Sequence, residues 1–127
     1  MTDTKGGYNV AKYFVQSEFN CRCGCGHTSK ALLIDTLDII RAELGCPIYI
    51  TSGARCPAHN AAVGGVPDSY HICGLAADCV PDDGDLNRLA NIMRQFSPTA
   101  NILIYYSSGF VHFDLGCGLN GRTLIMD

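Results

Sequence analysis

The chain has 127 residues, a length that supports one hydrophobic core of ordinary size and argues for a single domain. Apolar residues at 47% beside 17% charged residues exclude a disordered or collagen-like chain. Nine Lys and Arg against twelve Asp and Glu leave a formal charge of −3, and with no basic run the surface is not one that tracks phosphates, so nucleic acid is not an expected partner.

The opening Met1-Thr2-Asp3-Thr4-Lys5-Gly6-Gly7 is polar and lacks the apolar segment of a signal peptide, which points to synthesis in the cytoplasm. No stretch approaches the roughly 20 apolar residues that a spanning helix needs, so no membrane span is expected. Residues 1–12 read as a loose lead-in and residues 13–127 as one domain.

Residues 13–20 form a short aromatic segment that runs into Cys21-Arg22-Cys23-Gly24-Cys25-Gly26-His27, whose glycines predict a tight, irregular knuckle. Thr28 or Ser29 is the expected cap of the first helix. Leu32, Leu33, Leu37, Ile40 and Leu44 recur there at helical spacing until Gly45 and Pro47 stop it. Residues 47–52 are β-branched and precede Gly53, the pattern of a strand ending in a turn. Residues 57–63 make a short helix with Pro57 at its start.

Residues 75–80 fit a buried strand, although their small side chains suit a helix nearly as well. Asp83 or Asp85 caps a helix with Leu86, Leu89, Ala90, Met93 and Phe96 on one face, ended by Ser97-Pro98. Residues 101–106 and 110–115 flank Ser107-Ser108-Gly109 as a hairpin. Tyr105 and Tyr106 are read as core packing. With no regular βαβ alternation, the class is α+β: a small antiparallel sheet packed with a few helices.

Two of the four histidines sit near a carboxylate: His71, followed seven residues on by Asp78, and His112, two residues before Asp114. A mononuclear catalytic zinc takes three protein nitrogen or oxygen ligands and keeps one position open. His71, Asp78 and His112 supply that set if the chain folds back at Gly74 and the hairpin brings His112 across. Spacing alone leaves ordinary hydrogen-bonded histidines as the other reading.

Ser69-Tyr70-His71-Ile72-Cys73-Gly74-Leu75-Ala76-Ala77-Asp78 resembles the Ser-x-His-x-x-Gly-x-Ala-x-Asp signature of the zinc D-Ala-D-Ala carboxypeptidase family, whose fold is shared with the hedgehog signalling domain. Phe110-Val111-His112-Phe113-Asp114 resembles that family's second signature, and Ser52-Gly53-Ala54-Arg55 its upstream segment. The likeness runs from about Phe14 to Leu115.

The resemblance implies a hedgehog/DD-peptidase-like fold with zinc held by His71, Asp78 and His112. It implies that Arg55 polarises the scissile carbonyl and steadies its oxyanion, a role that suits a permanently charged guanidinium. A salt bridge closing the loop is the other reading of Arg55. Ser69 resembles a serine near the substrate's charged end, or hydrogen-bonds its own loop. Asp114, on the same strand face as His112, is either the base or an orienter of that histidine, and orienter is the favoured reading.

Some members of that family place a Glu three residues before the final His and others a His five before it; here those positions are Gly109 and Ser107, neither of which accepts a proton at neutral pH. His59 is given no catalytic role. The implied activity is zinc-dependent hydrolysis of peptidoglycan stem peptides, by a carboxypeptidase or a wall endopeptidase. A non-catalytic, zinc-stabilised module that binds peptidoglycan or protein is the alternative. A third reading has no active metal, with the thiols supplying the only metal site or disulfides. Without a signal peptide, action at the cell wall after phage-type release, or as a phage particle component, is expected.

Eight cysteines are many for a chain of this size, and they permit 105 full disulfide pairings, so none is assigned. Cys21-x-Cys23-x-Cys25 departs from the Cys-x-x-Cys of zinc ribbons and supports a second metal only weakly. Apolar burial accounts for Cys56, Cys73 and Cys79.

Overall fold

The computed structural model describes residues 12–65, 69–116 and 122–126. Of the expected lead-in only Lys12 falls among them. It is held in place by its backbone N–H, which donates to Asp38 Oδ2 at 2.9 Å.

The elements follow in the order α1 (Ala31–Leu44), β1 (Ile48–Ser52), α2 (Pro57–Ala62), β2 (Ala76–Pro81), α3 (Leu86–Phe96), β3 (Asn101–Tyr105), β4 (Phe110–Asp114) and β5 (Arg122–Ile125). A single 3-10 turn, Gln16–Phe19, precedes them. The strands form one sheet in the order β1-β2-β4-β3-β5. The pairs β1–β2, β2–β4 and β4–β3 are antiparallel, whereas β5 runs parallel to β3. The architecture is α+β as expected, but the sheet is mixed. The fifth strand lacks a hairpin partner next to it in sequence, so no local pattern announces it.

Helices α1 and α3 pack on one another and on one face of the sheet. Leu33, Leu37, Ile40 and Leu44 of α1 meet Leu89 and Met93 of α3 over Ile48, Ile102, Val111 and Phe113 of the strands, all buried. Alternation along β4 turns Val111 and Phe113 into this core and His112 to the opposite face. On β2, Ala77 and Cys79 take the core side, which puts Asp78 on the other face, directly opposite His112 in register. Phe14 and Phe19 close the core edge to face, with ring centroids 5.3 Å apart.

Several local expectations are corrected. Lys30, not Thr28 or Ser29, is the N-cap of α1 and gives no side-chain cap; its backbone N–H instead donates to Gly74 O at 2.9 Å. Ser29 Oγ is buried with no hydrogen-bond partner among the described residues. Leu32 and Phe96 are exposed, because the buried stripe of α1 centres on Leu33 and Leu37, and Phe96 is the last residue of its helix. Asp85 caps α3 as expected, accepting from Arg88 N–H at 3.0 Å. Burial accounts for Cys79 alone of the three cysteines assigned to it: Cys56 is half-buried and Cys73 exposed.

Candidate metal centre

The site stands where β1, β2 and β4 present their face away from the helices. Asp78 and His112 come from adjacent strands, and His71 comes from the loop before β2. One ligand atom from each lies within 4.8 Å of the other two. The fold-back at Gly74 and the hairpin therefore bring together the three residues that spacing alone could not join.

His71 commits one ring nitrogen to a backbone carbonyl, whereas both ring nitrogens of His112 face carboxylates. His71, buried, places Nδ1 2.7 Å from the carbonyl oxygen of Gly53. A carbonyl only accepts, so the proton sits on Nδ1 and the Nε2 lone pair faces Asp78 Oδ1, 3.6 Å away. His112 has Nε2 2.8 Å from Asp114 Oδ2 and Nδ1 2.9 Å from Asp78 Oδ1. Asp114 is itself buried and accepts from Asn101 Nδ2 at 3.0 Å. It thus lies behind the ring of His112, at the nitrogen remote from Asp78. That is the placement of an orienting group.

Burial works against a charge on His112, but hydrogen bonds to Asp114 and Asp78 outweigh it and push its pKa up to about 9. Burial would also raise Asp78, yet its hydrogen bonds with His112 and His71 hold it well below the usual carboxylate range. Two carboxylates thus concentrate negative charge around the His112 ring. Two imidazoles and a carboxylate fit zinc by donor type, and both rings are oriented through their other nitrogen.

Arg55 follows β1 and is fixed from three directions. Its Nε donates to Ser52 Oγ at 3.2 Å, its Nη1 donates to Asn60 Oδ1 at 3.1 Å, and its Nη2 lies 3.7 Å from Asp78 Oδ2. The loop-closing ion pair and a position at the site are therefore both realised. Ser69 Oγ accepts from the His71 backbone N–H at 3.2 Å, the local hydrogen bond foreseen, and also borders the cleft.

An open cleft of about 600 Å³ lies over this cluster, lined by Arg55, Ser69, His71, Asp78 and His112 among others. Tyr70, Tyr105 and Phe110 form its aromatic side, with the rings of Tyr105 and Phe110 stacked at 4.5 Å. The tyrosine pair is therefore not core. Tyr105 borders the cleft, and Tyr106 is exposed on the hairpin with its hydroxyl bonded to Asn87. Among the described residues lining the cleft, Asp78 is the only carboxylate.

A family model described as Peptidase M15 matches residues 12–114, which contain the whole cluster. The chain belongs to the peptidase M15 family. Members are zinc-dependent peptidases, and the candidate ligands found here are of the kind that dependence requires. No curated protein matches the chain.

Two contributors to this M15 site were not singled out from sequence. Asn60, buried in α2, anchors the Arg55 guanidinium; the only hint was its place beside His59, five residues after the arginine. Gly65 allows that approach, since a Cβ there would run into the Asn60 amide and come within 2.9 Å of Arg55 Nη1. His59, given no role, has its backbone N–H bonded to Cys56 Sγ at 3.4 Å. Among the described residues no helix is long and apolar enough to cross a membrane.

Proposed function

We propose that this chain hydrolyses peptide bonds in peptidoglycan stem peptides, with zinc held by His71, Asp78 and His112. The observation that carries this reading is the convergence of those three donors in an open cleft whose rim holds a fixed arginine. Bound zinc supplies the Lewis acidity that activates water and polarises an amide carbonyl.

The protein's own residues do the rest. Arg55 presents a permanent positive charge to the carbonyl oxygen as negative charge develops on it, and its anchors at Ser52 and Asn60 mean that little reorganisation is needed. Asp114 holds His112 through Nε2, so Nδ1, the nitrogen on the Asp78 side, is the one that would bind metal. Ser69 braces the loop that carries His71 and offers its hydroxyl to the substrate's charged end. Tyr105 and Phe110 give an apolar wall for the stem peptide's alkyl side chains.

The test is release of new amino groups from purified peptidoglycan, with and without chelator, by the wild-type chain and by His71→Ala. Chelator-sensitive release that His71→Ala abolishes supports the reading. Sizing the released fragments distinguishes removal of a terminal residue from cleavage within the stem or cross-bridge.

One observation favours a second reading. Gly109 and Ser107 occupy the positions where relatives of this pattern carry a proton acceptor, and Asp78 is the only carboxylate among the described residues lining the cleft. A zinc-stabilised module that binds wall peptide without cutting it would show peptide affinity and no amine release. The place of action under either reading is the cell wall, reached by phage-type release or as part of a phage particle. Retention of the native protein in the cytoplasm of unlysed cells would contradict that placement.

A further inference from the structure

A second cluster of metal-binding side chains stands apart from the histidine site. The Sγ atoms of Cys21, Cys23, Cys25 and Cys56 all lie within 4.8 Å of one another. We propose that these four thiolates hold a structural zinc ion.

The distances favour a metal over disulfides. Cys21 and Cys23 have their sulfurs 3.4 Å apart, and Cys23 and Cys56 3.6 Å apart. Four thiolates at about 2.3 Å around a tetrahedral zinc stand roughly 3.8 Å from one another. A disulfide needs about 2.05 Å, and no disulfide joins the described cysteines.

The backbone is shaped for convergence. Gly24 and Gly26 adopt φ +83° and +90°, the left-handed region that other residues enter only with strain. These two reversals turn Cys21, Cys23 and Cys25 toward one centre, although alternation along an extended Cys-x-Cys-x-Cys would only put them on one side. The knuckle closes through the Cys21 N–H, which donates to His27 O at 2.7 Å, and the Gly24 N–H, which donates to Cys21 O at 3.1 Å.

Two sulfurs already receive backbone donors, as thiolates in metal sites do. The Cys56 N–H donates to Cys21 Sγ at 3.4 Å, and the His59 N–H donates to Cys56 Sγ at 3.4 Å. Such hydrogen bonds stabilise charge on sulfur and fix its lone pairs. An all-sulfur set of four is the closed, structural type, with no position left for substrate.

The consequence lies one residue away. Cys56 follows Arg55, so the ion clamps the knuckle to the segment that carries the guanidinium. Arg22, inside the knuckle, donates to Ile50 O of β1 and reinforces the same junction. The thiolate ion thus positions Arg55 without touching substrate.

The test counts zinc in the full chain, purified in reductant with zinc present. Wild type is expected to carry about two ions per chain. The His71→Ala/His112→Ala variant should retain about one, and loading it with cobalt should give a strong near-ultraviolet thiolate-to-metal band. Cys23→Ser/Cys25→Ser should lose that band. If this variant fails to fold, the histidine variant still decides, because its thiolate site is intact. A histidine variant with no metal, or one whose cobalt form lacks the thiolate band, overturns the proposal. So does a mass showing oxidation among these four cysteines in wild type that carries a single zinc.

Discussion

Replacing Gly53 with alanine should weaken the fold and the candidate metal centre together. A Cβ at Gly53 would lie 2.6 Å from the carbonyl oxygen of Phe19, 2.7 Å from its Cα and 2.9 Å from its carbonyl carbon. These are backbone atoms of a fully buried residue, so no rotamer change relieves the clash. Restoring ordinary contact requires a shift of about 1 Å. That shift strains the hydrogen bond from Ala54 N–H to Phe19 O, now 2.9 Å, and moves the carbonyl that orients His71. Overpacking costs about 1–3 kcal/mol and the hydrogen bond about 1 kcal/mol more, so a loss of about 2–4 kcal/mol is expected. Displacing the partner of a candidate metal-binding histidine should lower zinc affinity by about 10–100-fold.

The assay pairs denaturant unfolding of the metal-free chain with a zinc competition titration. Gly45→Ala is the control: its φ of +80° makes alanine strained, but a Cβ there meets nothing within 4 Å and the residue caps α1, on the face of the sheet away from the site. It should lose about 1–2 kcal/mol and keep its zinc affinity. A Gly53→Ala chain as stable as wild type, with unchanged zinc affinity, would refute the reasoning.

Asp114→Asn should lower zinc affinity by about 10–100-fold, because the amide no longer supports the His112 Nε2 proton as a carboxylate does; equal affinity by competition titration would contradict the orienting role. Arg55→Lys keeps the charge but not the planar fork that reaches Ser52, Asn60 and Asp78 together. Its kcat on peptidoglycan should fall about 10²–10³-fold while zinc content stays constant, and unchanged turnover would remove Arg55 from the mechanism. Cys79 is buried, and burial followed by the nearby Asp78 charge pushes its thiol pKa far up. In the native chain it should resist alkylation that modifies exposed Cys73, with mass spectrometry after digestion locating the label.

What could be read from sequence was whatever a local pattern carries. The periods of α1 and α3 and the Tyr105–Phe110 hairpin depend on neighbours within a few residues, and all three stand where expected. The histidine site became visible only through family motifs, since Asp78 and His112 meet by β2–β4 pairing across 34 residues and His71 joins them from the loop before β2. Nothing local encodes β5, whose parallel partner β3 lies about 20 residues earlier. The cap of α1 differs from expectation because a distant carbonyl, that of Gly74, accepts from the Lys30 N–H and fixes the chain where the helix starts, with no side-chain cap. Likewise Cys56 looked like packing because its thiol partners lie more than 30 residues away, and Tyr105 because strand alternation does not say whether the face away from the helices is covered or open.

The central β2–β4 pairing also sets an order of events during synthesis. Asp78 and His112 become neighbours only when β4 docks between β2 and β3, so a growing chain that has emerged only as far as α3 holds at most two of the three candidate zinc ligands. Because long-range antiparallel pairing must precede completion of the centre, assembly of the site is coupled to closure of the whole sheet. A chain stalled or cleaved before residue 112 would therefore lack the centre on which the proposed hydrolysis depends.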